Sequence, residues 1–203
     1  MKTEILKIKG DWTEVLNDCR ATVKKEELNK EPSEKFKKAI LKSEHEPIRS
    51  IEIKFRWRDI PYWVAMHWKT HIWRSRVDSQ RNDRQDRYDR GKAPQDSPVT
   101  LTGEINSQHA IDTARKRLCF MASPETRELM EDFKYKVHEE VDEYIADAMQ
   151  KNCVYRCGCP EQNPCGWFNH FVERHPEVNW LDIDSRYEAA NKEFYEKMEK
   201  RNG

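Results

Sequence analysis

Ile51, Ile53, Phe55 and Trp57 alternate with Glu52, Lys54 and Arg56. Successive side chains of a strand point to opposite faces, so this stretch gathers four bulky apolar groups on one side and three charges on the other. A strand of that kind, expected over residues 48–57, needs a sheet with one face covered. A slip of one residue would turn the whole apolar set out to solvent.

The flanking chain supplies further elements. Residues 4–9 alternate in the same way and stop at Gly10. Asp11 reads as the cap of a helix over 12–25, with Val15, Leu16, Cys19 and Val23 on one face. A charged linker, 24–34, leads to Ser33 as a second cap, with Phe36, Ile40 and Leu41 inward. After the central strand, Asp59 reads as a cap and Pro61 as the first-turn proline of a helix bearing Val64, Trp68 and His71. Residues 74–97 lack apolar periodicity and are expected to be mostly loop, with a short strand at 99–101. Asn106 caps a helix through Leu118, whose buried stripe is Ile111, Ala114 and Leu118. Pro124 then opens one long helix over 125–150, with Leu129, Phe133, Val137, Val141, Ile145 and Met149 recurring every four residues as core or as an oligomer seam. Helices at 167–173 and 185–200 close the chain, and there is no internal repeat.

Composition bounds the function. The 203 residues are 36% charged and 36% hydrophobic, so the core is modest and further burial in an oligomer is expected. With 37 basic and 37 acidic residues the net charge is zero, which argues against a general nucleic-acid coat and leaves room for a local basic patch. Seven Trp argue against a disordered chain. No apolar run approaches the roughly 18 residues of a membrane span. The first ten residues, MKTEILKIKG, are too charged for a signal peptide. The expectation is a cytoplasmic protein with reduced thiols and no membrane partner.

Three constellations could carry chemistry. Residues 74–91 hold six arginines (Arg74, Arg76, Arg81, Arg84, Arg87 and Arg90) interleaved with Asp78, Asp83, Asp86 and Asp89, and no lysine. The run is either a solvated, salt-bridged loop or a set of planar donor forks for phosphate or carboxylate. Within it, Ser79, Gln80 and Arg81 offer a hydroxyl, an amide and a guanidinium, a set that suits a nucleotide. Asn106 and Arg117, eleven residues apart, return to nearly one helix face, with His109 and Thr113 close to it. They stand about 16 Å apart along the axis. That face could track a dinucleotide or be an ordinary solvent face.

The third is Cys153, Cys157, Cys159 and Cys165, with His170 and His175 following. Clustered thiols in a reducing compartment favour metal over disulfide, but the spacing is not the paired C-x2-C of a zinc finger. A zinc site and a thiol-rich structural turn both remain, and no metal ligand is assigned. Cys119 is expected to stand apart, because a single helix over 125–150 would separate its ends by about 40 Å. Nothing resembles a P-loop, a G-x-G-x-x-G fingerprint or a nucleophile elbow.

Taken in order, these pieces resemble the flavin-dependent thymidylate synthases. That family reads H-E-T-P, strand, Q-W-x-R-H-R-x-x-S, N-E-x-S-x-R, A-R-x-x-L-P, N-A-R-x-L and L-R-x-C-x-x-A-Q-x-E-I-R, often with a closing C-P-E…C-G turn. This chain has His45-Glu46-Pro47, the strand, HWKTHIWRS at 67–75, Asp78-Ser79-Gln80-Arg81, Arg90-Gly91-Lys92-Ala93-Pro94 and Asn106 through Arg117. The match continues with Leu118, Cys119, Ala122, Glu125 and Arg127, then Cys159-Pro160-Glu161 and Cys165-Gly166. A rival register sets Gln85 in place of the serine. The likeness spans residues 45–166. The domain it implies is 1–166, ending in the Cys-rich turn, with 167–203 as C-terminal helices.

The resemblance implies an α+β fold, a small sheet with long helices. It also implies a homotetramer with sites between subunits, bound FAD, reducing equivalents from NADPH, methylene-tetrahydrofolate as carbon donor, and conversion of dUMP to dTMP. Position by position, Ser79, Gln80, Arg81, Arg90 and Arg117 would contact the nucleotide, with Ser79 and Arg117 in catalytic roles. His71, Asn106 and Gln108 would contact FAD, Gln108 replacing an arginine. Thr70-His71-Ile72 stands where the family has R-H-R, and Arg74 and Arg76 could replace the two missing guanidiniums. Two alternatives stay open: another C5 modification of a pyrimidine nucleotide on the same fold, and a non-catalytic nucleotide- or nucleic-acid-binding protein.

Overall fold

The computed structural model describes residues 2–71, 74–78, 89 and 91–202. Among them, four strands form an antiparallel sheet in the order β1-β2-β4-β3. These are β1 Thr3–Lys9, β2 Glu52–Pro61, β3 Arg74–Val77 and β4 Pro98–Asn106. β2 is central, and its Ile53, Phe55 and Trp57, with Ile51 just before it, are at most 3% exposed, so the alternation in the sequence does select the core face. Val99, Leu101 and Ile105 of β4 share that face, with Ile105 opposite Ile53 and Leu101 opposite Trp57.

Helices cover this face. Helix α3 (Tyr62–Lys69) brings Trp68 to 4.7 Å from the Trp57 ring, and α5 (Pro124–Glu140) brings Phe133 to 4.8 Å from Phe55. Tilted aromatic pairs at such spacing add to the burial of their large surfaces. On the N-terminal side lie α1 (Trp12–Ala21) and α2 (Glu34–Lys42), capped by Asp11 and Ser33 as expected.

Several expectations are corrected. Residues 46–50 form a 3₁₀ turn led by Pro47, so β2 starts only at Glu52. Asp59 does not cap α3. It sits inside β2 with φ +52, at a bulge between Trp57 and Ile60, because the strand runs on to Pro61. Helix α1 ends at Ala21, since Lys24 takes φ +56, and Val23 is left 59% exposed. The start of the expected 74–97 loop is the edge strand β3, whose polar sequence hides it but whose ladder to β4 fixes it. β4 itself extends well beyond 99–101, since β2 and β3 pair with it from both sides despite Gly103.

The largest correction concerns the long helix. It is two: α5 ends at Glu140, Val141 leaves helical geometry (φ −121°, ψ −73°), and Asp142 caps α6 (Glu143–Ala148). The Asp142 Oδ1 accepts from Ile145 N at 2.9 Å, while Oδ2 accepts from Trp12 Nε1 at 2.7 Å. The apolar stripe survives the break: Leu129, Phe133, Val137, Ile145 and Met149 are all buried within the chain, as core.

Beyond α6, the chain forms α7 (Asn152–Tyr155), α8 (Trp167–Arg174) and α9 (Ile183–Asn202). Val154, Phe171 and Ala189 make a small second core. Arg186 is buried and donates to the carbonyls of Val154 (2.8 Å) and Tyr155 (3.0 Å), and Lys134 of α5 donates to Asn191 Oδ1 at 2.7 Å, so α9 is fastened to both α5 and α7. Among the described residues, no helix is long and apolar enough to cross a membrane.

Gly10 links β1 to α1 with φ +69°, and a Cβ there would stand 2.2 Å from the Ser50 carbonyl oxygen. The Gly10→Ala variant is therefore expected to lose about 2–3 kcal/mol of stability in urea denaturation, from left-handed strain and the backbone clash together. An unchanged midpoint would show that the turn reaches another conformation without strain.

Candidate functional site

Helix α4 (Ser107–Arg117) starts directly where β4 ends. Its start is fixed by Asn106, whose Oδ1 accepts from His109 N at 2.8 Å. Ala110, Ile111 and Ala114 bury one face, and Arg115, Lys116 and Arg117 in the last turn complement the helix dipole. The face running from Asn106 through Thr113 to Arg117 is not an ordinary solvent face, because Asn106 is 7% and Thr113 3% exposed. Among the described residues, Gln108 Oε1, Thr113 Oγ1 and Arg117 Nε are buried atoms without a hydrogen-bond partner. Orphaned polar atoms along one helix are a physical reason to expect a further group against it.

At the C-terminal end, Arg117 Nη2 lies 2.5 Å from His71 Nε2. His71 sits just past α3, its N–H donating to Trp68 O at 2.9 Å and its ring edge-on to Trp68. Burial lowers the imidazole pKa, and the Arg117 guanidinium lowers it further, with smaller contributions from Lys116, His109 and His67. The ring is therefore neutral at pH 7, accepts from Arg117 at Nε2 and carries its proton on Nδ1. Burial also lowers the Arg117 pKa, yet a guanidinium stays charged at neutral pH. The result is a cluster of cationic and imidazole side chains.

At the N-terminal end, Asn106, Gln108 and His109 line an open cleft of about 1050 Å³ together with the His45-Glu46-Pro47 turn. Gln108 is 6% exposed. Its Nε2 donates to Glu44 Oε2 at 3.2 Å and to Asp112 Oδ1 at 3.1 Å, so its oxygen is the atom left over. Arg115 pairs with both carboxylates and lies flat on the Tyr155 ring at 3.6 Å. Burial pushes the Glu44 carboxyl up, but hydrogen bonds from Arg115 and Tyr155 outweigh it and hold the pKa below the ordinary value. Sequence reasoning missed Glu44, Arg115 and Tyr155, since no spacing links residues 44 and 155. A glutamate adjoining His45-Glu46-Pro47 was the one available signal.

The expected site residues thus divide into two described groups, Asn106 with Gln108 and His71 with Arg117, at opposite ends of α4. Ser79, Gln80, Arg81 and Arg90, and the rival Gln85, lie outside the described residues. Arg74 and Arg76 stand on β3 with their partners in β4, and Arg74 Nη1 lies 3.7 Å from Glu104 on the outer sheet face. Cys119, expected apart from the other thiols, lines one narrow cavity with Cys153, Cys159 and Cys165, because the break at Val141 returns the chain toward the end of α4. Cys157 is not among the lining residues. His170 contacts Glu173 at 3.1 Å and His175 contacts Glu193 at 2.9 Å.

Replacing Arg117 by Met should raise the His71 pKa toward the ordinary imidazole value, as followed by NMR of the ring protons against pH. A titration that does not move would remove the guanidinium as the neighbour holding that ring neutral.

No family model matches the sequence, and no curated protein matches it. Solved structures do match. The flavin-dependent thymidylate synthase ThyX of Helicobacter pylori, crystallised with FAD and dUMP, aligns at a TM-score of 0.61 and 11% identity, over 74% of this chain and 100% of that one. The UMP/dUMP methylase PolB of Streptomyces cacaoi, bound with 5-Br dUMP, aligns at 0.60 and 12%, over 72% and 93%. At such identities the likeness is one of backbone architecture. A small antiparallel sheet covered by helices, running into α4 through the Asn106 cap, gives this chain the α+β fold of the flavin-dependent thymidylate synthases, carried by a widely diverged sequence.

Proposed function

We propose that the chain is a flavin-dependent enzyme that methylates dUMP at C5 to give dTMP, with methylene-tetrahydrofolate as carbon donor and NADPH as reductant. The observation that carries this reading is the Arg117–His71 pair at the end of a helix with orphaned polar atoms. Its support is that two fold neighbours were crystallised with dUMP or its 5-bromo analogue, one of them also with FAD.

The residues fit a cofactor and a nucleotide in different places. Arg117, Lys116 and the nearby histidines suit a phosphate or a ring that gains negative charge. A pyrimidine altered at C5 accumulates charge on its carbonyl oxygens, and a fixed guanidinium stabilises it without reorganisation. Neutral His71 holds the Arg117 side chain in place and offers its Nδ1–H as a donor. The Asn106–Gln108 end, bordered by Glu44 and Asp112, suits hydroxyl and N–H donors of a flavin nucleotide better than its phosphates. With Asn106 Oδ1 occupied by the helix cap, its amide hydrogens remain for a ligand. Flavin, when bound, supplies the hydride chemistry, and the protein supplies orientation. Ser79, Gln80, Arg81 and Arg90 would complete the nucleotide contacts from the arginine-rich segment. A homotetramer would close each site with residues of neighbouring copies.

The purified protein should show a flavin absorption band after reconstitution with FAD, and dUMP should shift it. Arg117→Ala and Ser79→Ala should each lower turnover at least about 100-fold while leaving the oligomer intact. Retained activity in both would remove the assignment, and activity in Ser79→Ala alone would favour Gln85 in its place. A colourless protein that takes up no FAD would turn the reading toward a non-catalytic nucleotide-binding module. Loss of the two guanidiniums beside His71, and a fold neighbour that is a UMP/dUMP methylase, favour one second reading: another C5 modification of a pyrimidine nucleotide. The mass of the product distinguishes it from dTMP formation.

A further inference from the structure

Three separate stretches of chain meet around a narrow cavity of about 20 Å³. They are the residue after Leu118 at the end of α4, the first turn of α7, and the turn leading into α8. Each brings cysteine: Cys119 from the first, Cys153 from the second, Cys159 and Cys165 from the third. All four are free thiols.

We propose that Cys119, Cys153, Cys159 and Cys165 bind one zinc ion that joins the end of α4 to the C-terminal helices. Four cysteines lining one cavity can supply the four thiolates that a tetrahedral zinc site takes. The cavity has room for about one water-sized body. The third stretch is shaped to present both of its sulfurs: Pro160 and Pro164 stiffen it, and Gly166 takes φ +81° to turn it into α8. Four thiolates and a divalent ion form a net anionic site. Lys151 also lines the cavity, its Nζ 4.4 Å from the Trp167 ring centroid and 5.7 Å from that of Phe120.

Among the described residues, no three His, Cys, Asp or Glu side chains are already gathered to hold a metal. Binding would therefore draw the four sulfurs inward, to about 2.3 Å from the ion, and release their protons to solvent. Cys157 follows Cys153 closely in sequence but takes φ +54° and does not line the cavity, so the ligand set is not the one that sequence clustering picks out.

The test uses the full chain, expressed with zinc and purified under reducing conditions, and needs no assay of turnover. Elemental analysis should give about one zinc per chain, and replacement by Co²⁺ should give the near-ultraviolet thiolate-to-cobalt band of a sulfur-rich tetrahedral site. Cys157→Ser should keep the metal. Cys119→Ser should lose it to a chelator at least about tenfold more readily. The proposal is overturned by a reduced protein that takes up neither metal, or by a Cys119→Ser variant that holds zinc as tightly as the unaltered chain. Should Cys119→Ser fail to fold, the Co²⁺ spectrum of the unaltered chain decides alone: absence of the thiolate band overturns the site.

Discussion

Asp142 determines where the second half of the chain goes. One carboxylate oxygen caps α6 and the other holds the Trp12 indole, so a single side chain both ends the α5 direction and ties the turn to α1. Without a cap at that position the apolar repeat would let one helix run on, and the residues after Gln150 would emerge far from α4. With it, α7 packs beside α4, Tyr155 lies under Arg115, and the cysteine-bearing segments converge.

Helix α4 consequently has three kinds of neighbour. The sheet feeds its start, Arg117 of its last turn meets His71, and Arg115 ties it to Glu44 before the 3₁₀ turn. The Asn106 cap matters twice, because it sets where the helix begins and it commits the oxygen of its own amide to His109 N.

Much of this was legible in the sequence for local reasons. The Ile51-to-Trp57 alternation, the Asp11, Ser33 and Asn106 caps and the α4 stripe each depend on residues within a few positions of one another, and each is found as expected. What was hidden depends on distance. β3 is polar and exists because β4 is beside it, and the bulge at Asp59 comes from a strand prolonged by its partner. The break at Val141 was concealed because the buried stripe keeps its four-residue step across it. That one misreading also separated Cys119 from its neighbours. Glu44, Arg115 and Tyr155 meet only through the fold, which no spacing rule can anticipate.

At the start of α4, Gln108 gives its amide hydrogens to Glu44 and Asp112, and Arg115, two turns on, reaches the same two carboxylates. The charges there are met within the chain. The cluster is therefore a latch between α4 and the chain just ahead of the 3₁₀ turn, and it casts little field along the helix.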